Sequence, residues 1–97
     1  MKTVDLSIYA PIISDKNVGE RIYRTIMEKD PESNDLQICL RGVISMTTFC
    51  AKQIFGRLYN KLGAQRFGQS IKFYDASDDL MLIIKMGIRN AVLEQYS

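Results

Sequence analysis

Three short stretches that alternate apolar and polar residues, each followed by a stretch of helical period, confine this chain to a repeated β–α order. From Thr3 to Ile8 the apolar Val4, Leu6 and Ile8 fall on one face and Thr3, Asp5 and Ser7 on the other, the period of a half-buried strand. Pro11 ends that strand. Ser14 or Asp15 can cap the helix that follows, in which Val18, Ile22, Tyr23, Ile26 and Met27 recur at helical spacing opposite Glu20, Arg21 and Arg24. Asp30-Pro31 stops this helix, and a polar loop runs to Asp35.

Leu36, Ile38 and Leu40 then alternate with Gln37 and Cys39, which predicts a second strand over 36–40. A connector, Arg41 to Met46, leads to Thr47 or Thr48 as cap of a second helix. Ala51, Ile54, Phe55, Leu58 and Leu62 mark its buried face, and Lys52, Gln53, Arg57, Asn60 and Lys61 its wet face. Gly63 is placed as the residue that ends it. Residues 70–74 predict a third strand, with Ile71 and Phe73 inward and Lys72 and Tyr74 outward. Ser77 caps a third helix reaching about Gln95, and Asp78 and Asp79 sit in its positive first turn.

This order implies parallel strands joined by right-handed crossovers. A doubly wound sheet would have strands apolar on both faces, whereas each of these is apolar on one. The expected architecture is a small α/β domain: an incomplete three-layer β-α-β-α-β-α sandwich with helices mainly on one face of a parallel sheet. The strands are expected side by side in sequence order. A chain of 97 residues, 46% hydrophobic, suits one domain spanning 1–97. Its core is thin, so burial against a partner would help.

The third helix is apolar on nearly every side. Leu80, Ile84, Ile88 and Ala91 form a core stripe, yet Leu82, Met86 and Leu93 fall almost opposite, with Ile83 beside them. This second stripe is either covered by a loop or tail of the same chain or meets a second copy or a partner protein. The short chain favours the contact.

Composition removes several chemistries. There is no histidine, the commonest general base and transition-metal ligand. Cys39 and Cys50 are too few for a structural zinc site and too far apart for a CxxC pair, and read as buried reduced thiols. No phosphate-cradling GxxxxGK[ST] or GxGxxG occurs. Asp75-Ala76-Ser77-Asp78-Asp79 could suggest a magnesium site, but a capped helix start explains Ser77, Asp78 and Asp79 together. No metal, cofactor or catalytic pair is therefore expected, and the chain reads as a non-enzyme. A net charge of +2 is too mild to imply a polyanion partner. Lys52, Arg57, Lys61, Arg66 and Lys72 read as a solvated face rather than a nucleic-acid stripe, because no aromatic residues interleave with them. No apolar run is long enough to span a membrane, and the N-terminus lacks a signal-peptide core. A cytoplasmic location is expected.

The connector into the second helix carries a family resemblance. Gly42-Val43-Ile44-Ser45-Met46-Thr47-Thr48, then Ala51 and Ile54-Phe55-Gly56-Arg57-Leu58, resembles the STAS-like family, related to the STAS domains of anti-sigma-factor antagonists. The likeness extends from about Ser14 to Ile88, with the first helix and the Ile71-Lys72-Phe73 strand in the family's positions. It implies a bacterial or phage signalling protein that binds a GHKL-type kinase or ATPase. In antagonist-type STAS domains the turn reads Asp-Ser-Ser-Gly and its first serine is phosphorylated. Matching from Gly42 sets Thr47 on the Asp, Thr48 on that serine and Phe49 on the second serine. The hydroxyl is kept, whereas the acid and the glycine are not.

These readings converge on a regulatory protein-interaction domain. Its candidate site is the turn of Ser45, Thr47 and Thr48, and its candidate interface is Leu82, Ile83, Met86 and Leu93. A hydroxyl at a helix N-terminus suits a phosphoswitch, because a phosphate there meets free N–H groups and adds negative charge to a docking surface. Capping alone also accounts for the two threonines. The alternative function is a small nucleic-acid- or ligand-binding module using the basic residues of the second helix and third strand.

Overall fold

A computed structural model describes residues 1–95. In chain order it runs β1 (Lys2–Asp5), a 3-10 turn (Ser7–Tyr9), β2 (Ile12–Ile13), α1 (Lys16–Glu28), β3 (Leu36–Cys39) and β4 (Ser45–Met46). There follow α2 (Thr48–Ala51), a π-helical turn (Lys52–Gly56), α3 (Arg57–Leu62), α4 (Ala64–Ser70), β5 (Ile71–Tyr74) and α5 (Asp78–Gln95). The elements α2, π turn and α3 abut without a break and act as one helix.

The main sheet has three parallel strands in the order β1-β3-β5, the arrangement the alternation predicts. Its register explains why one face is apolar. Val4, Ile38 and Phe73 stand in one row, and Leu36 and Ile71 are paired in the row beside it. These rows face the core. The intervening rows, Thr3-Gln37-Lys72 and Asp5-Cys39-Tyr74, face the other way and are exposed or half-buried. The helices pack on the first face. Phe73 there meets Phe55 edge-on at 5.1 Å, and Phe67 bridges Phe73 and Tyr59.

The helices start where the sequence supplies caps. The Asp15 carboxylate accepts the N–H of Asn17 at 2.7 Å and of Val18 at 3.1 Å, opening α1. The Ser77 hydroxyl accepts the Leu80 N–H at 3.1 Å, opening α5. Ile22 and Ile26 of α1, Ala51, Ile54, Phe55 and Leu58 of the second helix, and Leu80 and Ile84 of α5 are fully buried.

The second helix and α5 cross closely because both carry glycine at the crossing. A Cβ on Gly87 would lie 2.5 Å from the Lys52 nitrogen and 2.6 Å from Ala51 Cβ. A Cβ on Gly56 would lie 2.7 Å from that of Ala91. The approach brings the π turn against α5 and seals the core between them.

Several boundaries depart from the alternation. The first strand stops at Asp5 rather than residue 8, because the Asp5 carboxylate accepts the Ser7 N–H at 2.9 Å and turns the chain into the 3-10 segment. Ile8, expected inward, is 76% exposed. The third strand begins at Ile71, since Ser70 closes α4 with its hydroxyl donating to the Arg66 carbonyl at 2.7 Å. The connector read over residues 41–46 contains β4, which pairs in parallel with β2. Cys39 is half-buried on the open sheet face, while Cys50 is buried as expected. Ile88, expected in the core stripe of α5, is half-buried, and Gly87 is buried beside it.

Candidate functional site

The turn between β3 and α2 is built outward from the sheet. The Leu40 N–H bonds the Tyr74 carbonyl, extending the sheet by one rung, and the Val43 N–H then returns to the Leu40 carbonyl at 3.0 Å. Gly42, at φ +78°, takes the left-handed conformation this reversal needs. The strand that follows is held by β2. The Ile44 N–H donates to the Pro11 carbonyl at 2.8 Å, Ile12 registers with Ser45 and Ile13 with Met46, and the Thr47 N–H donates to the Ile13 carbonyl at 3.0 Å. Ile13 and Met46 point into the core.

The two threonines divide their roles. The Thr47 hydroxyl accepts the Cys50 N–H at 3.1 Å and is the cap of the second helix. Thr48, the first helical residue, is half-buried, and among the described residues its hydroxyl makes no hydrogen bond. Ser45 is half-buried. The segments that build the turn carry exposed apolar residues: Phe49, next to Thr48, is 52% exposed, Ile44, just before β4, 70%, and Ile12, paired with Ser45, 59%. Ile8 and Ile12 share a recess of about 220 Å³ with Tyr9 and Val18, and Asp15, the cap of α1, lies at its edge. The Cys50 thiol approaches the Asp15 carbonyl at 3.7 Å, so the starts of α1 and of the second helix lie side by side.

Of this surface, sequence reasoning singled out Ser45, Thr47 and Thr48 and missed the isoleucines. Alternation assigns Ile8 to the core, while Ile12 lies in a two-residue strand and Ile44 just before another, too short to show a period. The available signal was the Asp5-Leu6-Ser7 sequence, which favours a side-chain-to-backbone turn and ends the alternation early.

The stripe of the last helix stands where its spacing predicts. Leu82, Met86 and Leu93 are 59%, 46% and 56% exposed. Ile83 differs, being half-buried against the core.

The basic residues of the second helix and the segment after it are engaged within the chain. Arg57 makes two 3.0 Å bonds to the Glu20 carboxylate and lies 3.5 Å over the Tyr23 ring. Lys52 bonds Glu94 at 2.8 Å, Arg66 pairs with Asp35 at 3.7 Å, and Lys61 lies 4.0 Å from Glu32. Lys72 donates to the Gly68 carbonyl. Hydrogen bonding to Arg57 lowers the Glu20 pKa below its ordinary value and raises that of Arg57. A recess of about 410 Å³ is lined by Lys52, Arg57 and Glu94, charges already paired, with Gln53, Asn60 and Ala91.

Asp75, Asp78 and Asp79 do not converge, and the described residues contain no cluster of acids and cysteines able to hold a metal ion. Asp75 is instead engaged by Arg41 at 3.6 Å and by the Cys39 thiol at 3.9 Å. The Asp5 pKa is lowered by its hydrogen bond from Ser7. No helix among the described residues is long and apolar enough to cross a membrane. No protein-family model, no curated protein and no solved structure matches the chain.

Proposed function

We propose that this chain is a regulatory protein-interaction domain of the STAS-like kind, acting in the cytoplasm without catalysis of its own, and that it docks a GHKL-type ATPase or kinase on the turn around Thr48. The observation that carries the reading is the exposure of Ile12, Ile44 and Phe49 on the segments that build the turn, and of Ile8 in the recess beside Ile12, together with a Thr48 hydroxyl unused within the chain. Apolar side chains held this far into water stabilise the chain little and become useful when a partner covers them. Thr48 opens a helix running from residue 48 to 62. A phosphate there is favoured by the helix N-terminus and adds charge where the partner's apolar surface must sit, so it would oppose docking.

Thr47 supplies the cap, which leaves Thr48 free to be modified without undoing the helix start. Pairing of the basic residues within the chain weighs against the nucleic-acid reading, because a phosphate-tracking surface needs cations free to displace counterions.

The test is a titration of isotope-labelled chain with each purified GHKL-type ATPase of the source organism, followed by amide NMR shifts. One of them is expected to shift the amides of Ile8, Ile12, Ile44 and residues 47–49. Shifts confined to other surfaces, or no binding by any of these ATPases, overturn the proposal.

A further inference from the structure

The outer face of α5 carries more than an apolar stripe. Successive residues of a helix are rotated by about 100°, so Asp79, Leu82, Met86, Arg89 and Leu93 form one line directly opposite the buried Leu80, Ile84, Gly87 and Ala91. Their separations alternate three and four residues, which is the seam spacing of paired helices. All five side chains are exposed. Among the described residues, neither Asp79 nor Arg89 has an ion-pair partner within the chain. Every other line of α5 either faces the core or flanks it.

The order of these residues is self-complementary in one direction only. If two copies of the helix run antiparallel about a two-fold axis beside residue 84, Leu82 of each lies opposite Met86 of the other. The same register sets Asp79 of each opposite Arg89 of the other, so an apolar centre is closed at both ends by opposite charges. Sliding the helices to place Met86 on Met86 sets Arg89 against Ile83 and Asp79 against Leu93, so neither charge meets its opposite. A parallel pair sets Asp79 on Asp79 and Arg89 on Arg89. Lys85 flanks the axis, where its long stem can carry the ammonium out to water.

We infer that this face is a homodimer contact, in which α5 of one chain packs antiparallel on α5 of a second copy with reciprocal Asp79–Arg89 pairs. A two-fold contact of this kind uses one patch for both subunits. It uses the outer face of α5, opposite the residues by which α5 packs on the second helix, and does not depend on the proposed kinase partner.

The test is sedimentation equilibrium of the full-length protein, with far-UV circular dichroism to confirm that each variant is folded. Wild type is expected to have twice the chain mass, and the double substitution Leu82→Glu, Met86→Glu the mass of one chain with unchanged helical content. Asp79→Arg and Arg89→Asp each set like charges at both ends of the seam, and each should weaken the dimer about tenfold. Combining the two in one chain reverses both partners and should restore wild-type association; loss in each single variant followed by restoration in the double is a pattern that a parallel pair, in which neither single change alters the like-charge ends, or a contact with an unlike protein does not give. A monomeric wild type, or a combined variant as weak as its parents, overturns the inference.

Discussion

Replacing Gly87 and Gly68 by alanine, one at a time, makes the same chemical change in two helix interiors and should move stability in opposite directions. Alanine is favoured over glycine in a helix by about 1 kcal/mol. A Cβ at Gly68, in α4, meets nothing within 4 Å. Gly68→Ala should therefore stabilise by about 0.5–1 kcal/mol. At Gly87 the added carbon would lie 2.5 Å from the Lys52 nitrogen and 2.6 Å from both the carbonyl carbon and the Cβ of Ala51. None of these is the far end of a flexible side chain, so α5 must move away by about 1 Å and loosen its packing along the crossing. Overpacking of this kind costs about 1–3 kcal/mol, and rigid obstacles place it at the upper end. After the gain in helix propensity, Gly87→Ala should lose about 1–2 kcal/mol. For a domain of this size that lowers Tm by about 5–15 °C. Urea denaturation followed by circular dichroism is the suitable assay, since the chain has no tryptophan. Equal stabilisation by both substitutions would refute the close crossing.

Two further outcomes follow from the polar contacts. Thr47→Ala removes the acceptor for the Cys50 N–H and should cost about 1 kcal/mol in the same denaturation assay, whereas Thr48→Ala, which breaks no hydrogen bond, should cost less. The Glu20–Arg57 pair should make stability depend on pH: because the folded pKa of Glu20 is depressed, its contribution is present above the ordinary value of 4.5 and is lost as pH falls through the folded value. The stability gap between wild type and Arg57→Ala should therefore narrow on acidification below 4.5. A gap that stays constant assigns the effect of Arg57 entirely to its stacking on Tyr23.

Sequence and structure agree in the second and third predicted strands and in the first and last helices, whereas the longest alternation, Thr3 to Ile8, is cut short at Asp5. Leu36-Ile38 and Ile71-Phe73 alternate into the sheet, α1 begins on Asp15, and α5 carries a buried stripe with an exposed one behind it. What escaped the sequence was local or relational. The strands β2 and β4 have two residues each, too few for any period. The short helix α4 buries only Phe67 and Ser70 and holds a glycine, so nothing in it announces a helix. The π turn has no composition of its own. It lies against Gly87, a residue distant in sequence. The same limit applies to the candidate site. The turn hydroxyls were visible as helix-capping residues, but Ile8 is exposed only because Asp5 ends β1 early and sends it outward.

The measurement that bears most directly on the proposed function is the affinity of wild type, Thr48→Ala and Thr48→Glu for the GHKL-type ATPase that binds the chain, by isothermal titration. Thr48 is half-buried next to the exposed Phe49, so a carboxylate there adds charge beside an apolar side chain. Thr48→Ala should bind like wild type, and Thr48→Glu should bind at least about tenfold more weakly, an effect of about 1.4 kcal/mol, with its fold intact. Equal affinities for all three proteins would contradict the account.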